Sequence, residues 1–232
     1  MNGVKAIGFD LDGTLFDHRG SAATAVDEFL LVLGIAPSDH ARRMWFTAEE
    51  AEFERWRAGN IGFQEQRRNR LRRVLPGLGL SAPEHPAELD QMFENYLRAY
   101  RGAWTAFPDS ASVLASLRQR GLRLGILTNG NHEQQLEKID AIGLLDLVDV
   151  VCTSELIGFQ KPDPRAFQTL AARLGADPAD CLFIGDNPEH DIAGARSVGM
   201  EAVLIDRYRA EPARLQETLD SMLRRGRVQT QC

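Results

Sequence analysis

Residues 4–9 (VKAIGF) form a short apolar run that breaks at Asp10 and Asp12, as a buried strand does where it meets its loop. The pattern then changes. From about Ser21 to Tyr100 apolar side chains recur at helical spacing, with Ala22, Val26, Phe29, Leu30 and Leu33 in one stretch and Phe93, Tyr96, Leu97 and Tyr100 in another. Trp45, Phe46, Phe53, Trp56, Leu71, Val74 and Leu75 lie between them among arginines and glutamates, with no clear strand pattern. This stretch predicts a separate helical bundle, with Trp45, Phe53 and Trp56 in its core.

From Phe107 onward strand and helix patterns alternate. Residues 108–121 predict a helix opened by Pro-Asp-Ser and stopped by a glycine. Strands are predicted over 122–127, 147–152, 181–184 and 202–205, and helices over 132–143, 164–175, 189–199 and 212–224. Alternating βα units imply a parallel sheet covered on both faces. The predicted fold class is α/β: a Rossmann-like core of residues 1–17 and 104–232, with an inserted α-helical domain over 18–103.

Composition narrows the setting. With 232 residues the chain can fill one α/β domain and a smaller insert, and 44% hydrophobic with 26% charged residues suits a soluble globular protein. No stretch approaches the roughly 18 consecutive apolar residues of a membrane helix. The run at 4–9 is too short for a secretory leader, so a cytoplasmic location without membrane attachment is expected. The net charge of −6 argues against a nucleic-acid partner. Cys152, Cys181 and Cys232 share no metal-ligand spacing; Cys152 and Cys181 read as small core residues, and an odd number suits a reducing compartment. The arginine run over 67–73 reads as the solvated face of a helix rather than an anion-binding surface. Lysine is scarce: Lys5, Lys138 and Lys161 are the only three, so each invites a question that an arginine would not.

In open α/β sheets ligands bind outside the carboxyl ends of the strands. Just past the predicted strands come Asp10 and Asp12, then Thr128 and Asn129, then Lys161 in its loop, then Asp186 and Asp191. Taken alone, any one of the aspartates or Asn129 reads more readily as a turn residue or helix cap than as a catalyst. Capping, however, requires neither a lysine nor two aspartates two residues apart.

These segments resemble the motifs of the haloacid dehalogenase superfamily. DLDGTLFD at 10–17 is similar to the first motif, Thr128-Asn129 to the second, KPDP at 161–164 to the third and GDNPEHD at 185–191 to the fourth, in the family's order. The resemblance implies a phosphatase of that superfamily with a helical cap domain. It implies Asp10 as nucleophile and Asp12 as acid and base, with Thr128 and Lys161 completing the catalytic set. Leu11, Thr128, Asn129, Gly130 and Lys161 would then bind phosphoryl oxygens. Magnesium would be the only cofactor, held by Asp10, the backbone carbonyl of Asp12 and Asp186, with Asp191 supporting from behind. The substrate would be a small phosphorylated metabolite (nucleotide, phosphoglycolate or sugar phosphate) and the protein a monomer or homodimer.

The chemistry fits those residue types. Phosphate monoesters hydrolyse extremely slowly unaided. A carboxylate nucleophile divides one hard step into two, a divalent cation offsets anion–anion repulsion, and a second carboxylate moves the proton. His190 is a departure from the fourth motif and is expected at an exposed helix start, with tuning of Asp191 as its other reading. His18 and Arg19, where the chain enters the insert, are expected to influence specificity. A dehalogenase and a sugar phosphomutase of the same superfamily are rival readings. A phospho-aspartate signalling module also joins aspartates, a threonine and a lysine, but is shorter and has no helical insert.

Overall fold

The computed structural model describes residues 3–209, 215–217 and 219. Of the closing helix predicted over 212–224, only residues 215–217 and 219 are among them, and Cys232 is not. In chain order the elements are β1 (Ala6–Phe9), α1 (His18–Val32), α2 (Asp39–Arg57), α3 (Phe63–Gly77), α4 (Pro86–Gly102), α5 (Ser110–Gln119), β2 (Arg123–Thr128), α6 (His132–Ala141), β3 (Val150–Thr153), α7 (Ser154–Ile157), α8 (Pro164–Leu174), β4 (Cys181–Gly185), α9 (Gly194–Ser197) and β5 (Glu201–Leu204). The chain divides into two compact units, Met1–His18 with Thr105–Cys232, and Arg19–Trp104.

The first unit is a five-stranded parallel sheet in the order β3-β2-β1-β4-β5. All four residues of β1 are buried, as expected of the middle strand of a sheet covered on both faces. Phe9 pairs with Ile126 of β2 and with Ile184 of β4, so Asp10 emerges at the centre of the carboxyl edge. Helix α8 begins with Asp163 as N-cap and Pro164 at its first position, and ends at Gly175 in the left-handed conformation. Its buried stripe of Ala166, Phe167, Leu170, Ala171 and Leu174 joins Cys152, Cys181 and Phe183 in the core. At an average of about 25 cal/mol per Å² of apolar surface, such a stripe outweighs the helix's own weak propensity as its source of stability.

Two elements differ from the sequence reading. The strand expected over 147–152 begins at Val150, because a 3₁₀ turn occupies Leu145–Leu147. The helix expected over 189–199 is split: Pro188–Ala193 is a π-helical turn, and α9 starts only at Gly194. The cause is Asn187. Its carbonyl accepts from both Asp191 and Ile192 (3.0 and 3.2 Å), and its side chain caps the amides of Glu189 and His190 (3.0 and 2.8 Å). Periodicity cannot distinguish such a widened turn from an α-helix, and π-turns concentrate at functional sites.

The second unit is built of α1 to α4. Trp45 lies within 6.0 Å of Phe29, Phe93 and Tyr96, ring centre to ring centre, and is buried as expected. Phe53 and Trp56 are half-buried and pack edge-on against each other and Phe63. The arginine run is a solvated face only in part: Arg73 is exposed, whereas Arg67 and Arg70 turn to aromatic rings. Arg70 is 3% exposed, and its guanidinium lies 5.3–5.4 Å from the ring centres of Trp45, Phe53 and Phe93. Its charge is met by Glu49 at 3.4 Å. Arginine's long stem and stacking plane let it enter an aromatic core, where a charge count sees only polarity.

Candidate active site

Strand β1 delivers Asp10 to the sheet edge, β2 delivers Thr128 and Asn129, and β4 delivers Asp186. One carboxylate oxygen from each of Asp10, Asp186 and Asp191 lies within 4.8 Å of the others. Lys161 reaches this cluster, donating to Asp10 Oδ1 and to Asp191 Oδ1, both at 2.6 Å. Thr14 adds a hydroxyl donor to Asp10 Oδ2 at 3.2 Å.

The backbone is shaped to permit this crowding. Gly13 has φ +90°, and a Cβ there would stand 2.2 Å from Asp186 Oδ2. A Cβ at Gly185 would stand 2.3 Å from Asp191 Oδ2. Any other residue at either position would push a carboxylate out of the cluster. The electrostatics follow from three carboxylates around one ammonium. Burial, together with Asp191 and Asp186, raises the Asp10 carboxyl well above its ordinary value, although Lys161 opposes the shift. Burial and Asp191 likewise push Asp186 up to about 6. Lys161 is raised because Asp10 and Asp191 outweigh its own burial.

Asp12 lives in a different field. Its carboxylate is not part of the cluster and turns to α6, where Lys138 donates to Oδ1 at 2.6 Å and Gln135 to Oδ2 at 2.9 Å. The Nδ1 atom of His18 stands 3.9 Å from Oδ1. Burial would raise Asp12, yet Lys138, His18 and the Gln135 hydrogen bond together hold it down at about 2. Two aspartates separated by one residue are thus driven in opposite directions.

The second segment is committed to holding the others. Asn129 clamps the backbone of Lys161, donating from Nδ2 to its carbonyl (2.9 Å) and accepting its amide at Oδ1 (2.8 Å). The Gly130 amide donates to Ser154 Oγ at 3.0 Å. Thr128 Oγ1 accepts from Gln135 at 2.6 Å. Leu11 is fully buried, and its carbonyl accepts from Leu15 and Phe16 (3.0 and 2.9 Å), tightening the turn after Asp10. Asp191 has both oxygens engaged, by Lys161 and by the Asn187 amide at 3.0 Å. His190 is half-buried rather than exposed.

Sequence reasoning missed Gln135, Lys138 and the side-chain clamp of Asn129. For Lys138 a signal existed in the scarcity of lysine; for Gln135, only its place three residues earlier on the same helix.

Over 206 residues the chain is 32% identical to the ribulose-1,5-bisphosphate 5-phosphatase of Halopiger xanaduensis, covering 88% of this chain and 85% of that one. A phosphoserine phosphatase of Thermus thermophilus is 39% identical over 126 residues, 54% of this chain; the match spans about half (49%) of that relative's length. The solved Bacillus subtilis HAD-hydrolase YfnB, bound to magnesium, superposes with a TM-score of 0.81 over 96% of this chain and 100% of its own at 23% identity, a likeness of fold. Residues 4–199 match the hydrolase family described as haloacid dehalogenase-like, and the chain belongs to it.

Proposed function

We propose that this hydrolase is a magnesium-dependent phosphatase of small phosphorylated metabolites, acting through an aspartyl-phosphate on Asp10. The observation that carries the reading is the pair of neighbouring aspartates in opposed fields. One lies among carboxylates and Lys161, the other is set apart and held by Lys138 and Gln135. A dehalogenase needs no acid for a leaving halide, and a second, separately held carboxylate would have no task there.

The acidic cluster fits a divalent cation. Three carboxylates converge where two glycines make room, and burial, with their mutual repulsion, raises Asp10 and Asp186. Asp10 and Asp186 would hold it directly, with the Asp12 carbonyl. Asp191, with both oxygens engaged, would orient Lys161 and the loop. When bound, the ion draws charge from the phosphoryl oxygens and from the nucleophile.

In the first step a carboxylate oxygen of Asp10 bonds to phosphorus while the bond from phosphorus to the ester oxygen breaks. That oxygen leaves with the electron pair and takes a proton from Asp12. Lys161 and Thr128 neutralise and orient the transferring oxygens. In the second step water attacks phosphorus and gives its proton to Asp12, and the bond to Asp10 breaks to release inorganic phosphate. Lys138 keeps Asp12 ionised at rest, the state that the second step uses. An arriving phosphoryl group, whose own second pKa is about 6, adds negative charge beside Asp12 and favours its protonated form.

The relatives act on phosphorylated sugars and on phosphoserine, which supports a small monoester as substrate. In the same reading the helical unit, Arg19–Trp104, is the cap that recognises the rest of the substrate. The test is a screen of phosphorylated metabolites with magnesium, followed by acid quench and mass analysis of the enzyme. The expected result is metal-dependent phosphate release and a phosphoryl adduct on Asp10, with at least about a 10³-fold loss of turnover in Asp10→Asn. Full turnover after chelation, or an Asp10→Asn enzyme that retains a tenth of its activity, would reject the proposal.

A further inference from the structure

Two buried donors on α6 converge on Asp12, and the chemistry above gives them no direct contact with substrate. Lys138 and Gln135 are 3% and 4% exposed, whereas the Asp12 side chain is 31% exposed. Each donor takes a different oxygen of the carboxylate, at 2.6 and 2.9 Å. Gln135 Nε2 also donates to Thr128 Oγ1 at 2.6 Å, and the Lys138 ammonium lies 4.6 Å from the Phe16 ring centre. The two residues are three apart on α6 and so share one face.

Burying an ammonium and an amide is costly unless both are satisfied, and a helix can be fastened to a loop with apolar contacts alone. A singly held carboxylate can still rotate about χ2, whereas a carboxylate gripped at both oxygens has its plane fixed. Proton transfer is sensitive to that plane, because a donor misplaced by about 1 Å forfeits much of the advantage of being held nearby.

We propose that Lys138 and Gln135 are positioning residues that grip both oxygens of Asp12 and aim its carboxyl at the leaving-group oxygen. The inference rests on the reading of Asp12 as the acid of the first step. Its signature is a dependence on the leaving group. An alkyl phosphate cannot depart without a proton; a dinitrophenyl phosphate can. A fastening role would harm both substrates alike.

The experiment compares kcat/KM, which reports the phosphoryl-transfer step, for an alkyl and a dinitrophenyl phosphate. The variants are Lys138→Met, Gln135→Met, Asp12→Asn and the double variant Asp12→Asn/Lys138→Met. For Lys138→Met we expect a loss of about 10²-fold on the alkyl ester against about threefold or less on the dinitrophenyl ester. In the Asp12→Asn background, removing Lys138 should cost no more than about twofold. Equal losses on the two esters, or losses that multiply in the double variant, overturn the proposal. Should Lys138→Met fail to fold, Gln135→Met is read by the same criterion at the other oxygen. If Asp12→Asn shows no preference between the esters, the acid reading itself has failed and the positioning role falls with it. A preference in Asp12→Asn that both α6 variants lack refutes the positioning role alone.

Discussion

The two units of the chain treat buried charge in opposite ways. In the helical unit every buried carboxylate described above or here meets a guanidinium. Glu49 faces Arg70, and Glu52, whose side chain is fully buried, faces Arg55 at 2.8 Å and Arg73 at 2.5 Å. These partners come from the same helix or from the next one along. In the sheet unit Asp10, Asp186 and Asp191 crowd together while one ammonium bridges Asp10 and Asp191, and the partners are remote: Asp10 and Lys161 are 151 residues apart, Asp12 and Lys138 are 126 apart. Balanced charge close in sequence is a way to build a bundle. Unbalanced charge assembled from remote segments strains the fold unless a ligand completes it, and such groups cluster at sites of function.

The sharpest way to break this contrast is to remove the ammonium that bridges Asp10 and Asp191. Lys161→Met would leave three crowded carboxylates with no amine. The expected result is at least about a 10²-fold loss in kcat/KM together with destabilisation on the order of 3–5 kcal/mol in metal-free protein, part of it recovered on adding magnesium. Kinetics and denaturant melts with and without the ion check this. A variant that melts like wild type would show that the cluster is not held against repulsion at all.

How far the sequence reveals this arrangement depends on distance along the chain. The alternation of apolar runs and glycine stops made β1, β2, α6, α8 and β4 readable, because each is decided by its own few residues. Asp10, Thr128 and Asp186 were readable for a related reason, since each stands at or just past the end of a strand that could be located, whereas Lys161, beyond β3 and α7, was readable from its scarcity and its motif. The grip of α6 on Asp12 was not readable as a contact, because the scarcity of lysine marks Lys138 as unusual but nothing local names its partner. Nor was the Pro188–Ala193 turn, whose geometry depends on the Asn187 carbonyl serving two amides. Arg67 and Arg70 misled in the opposite direction: a dense local run of charge concealed two members that pack against aromatic rings.

The helical unit offers the complementary test at a smaller scale. Arg70→Met keeps the volume but removes the charge that meets Glu49, so it should destabilise the protein by about 3 kcal/mol. Replacing both partners, as Arg70→Met/Glu49→Met, should recover at least about half of that, because a balanced pair can give way to apolar packing with little net cost. Chemical denaturation of the two single variants and the double variant measures the coupling. A double variant no better than the sum of the singles would mean that the rings, and not Glu49, account for the burial of Arg70.

The smallest effect concerns the metal site and pH. Asp186 is pushed up to about 6 in the folded chain, against an ordinary value of 3.8. A carboxyl with a raised folded pKa binds its proton more tightly when folded, so its contribution to stability is complete below the unfolded value and is lost as pH rises through about 6. Asp12, held down at about 2, works in the other direction, but only below its unfolded value, so it does not interfere above about pH 4. Metal-free protein should therefore lose a few degrees of melting temperature between about pH 5 and about pH 8. On the proposed reading, magnesium would bind the ionised cluster of the folded state. At about pH 5 it must displace a proton from Asp186, whereas at about pH 8 it need not. The stabilisation it confers should accordingly be larger at the higher pH, leaving the loaded protein nearly flat across the range. Asp186→Asn should shrink the decline in the metal-free protein to the part that the raised Asp10 carboxyl contributes, and remove most of the gain on loading. Thermal melts at the two pH values, with and without magnesium, decide the matter. An equal gain at both, or a gain that survives in Asp186→Asn, would take Asp186 out of the metal site and leave the cluster without the ligand that its crowding requires.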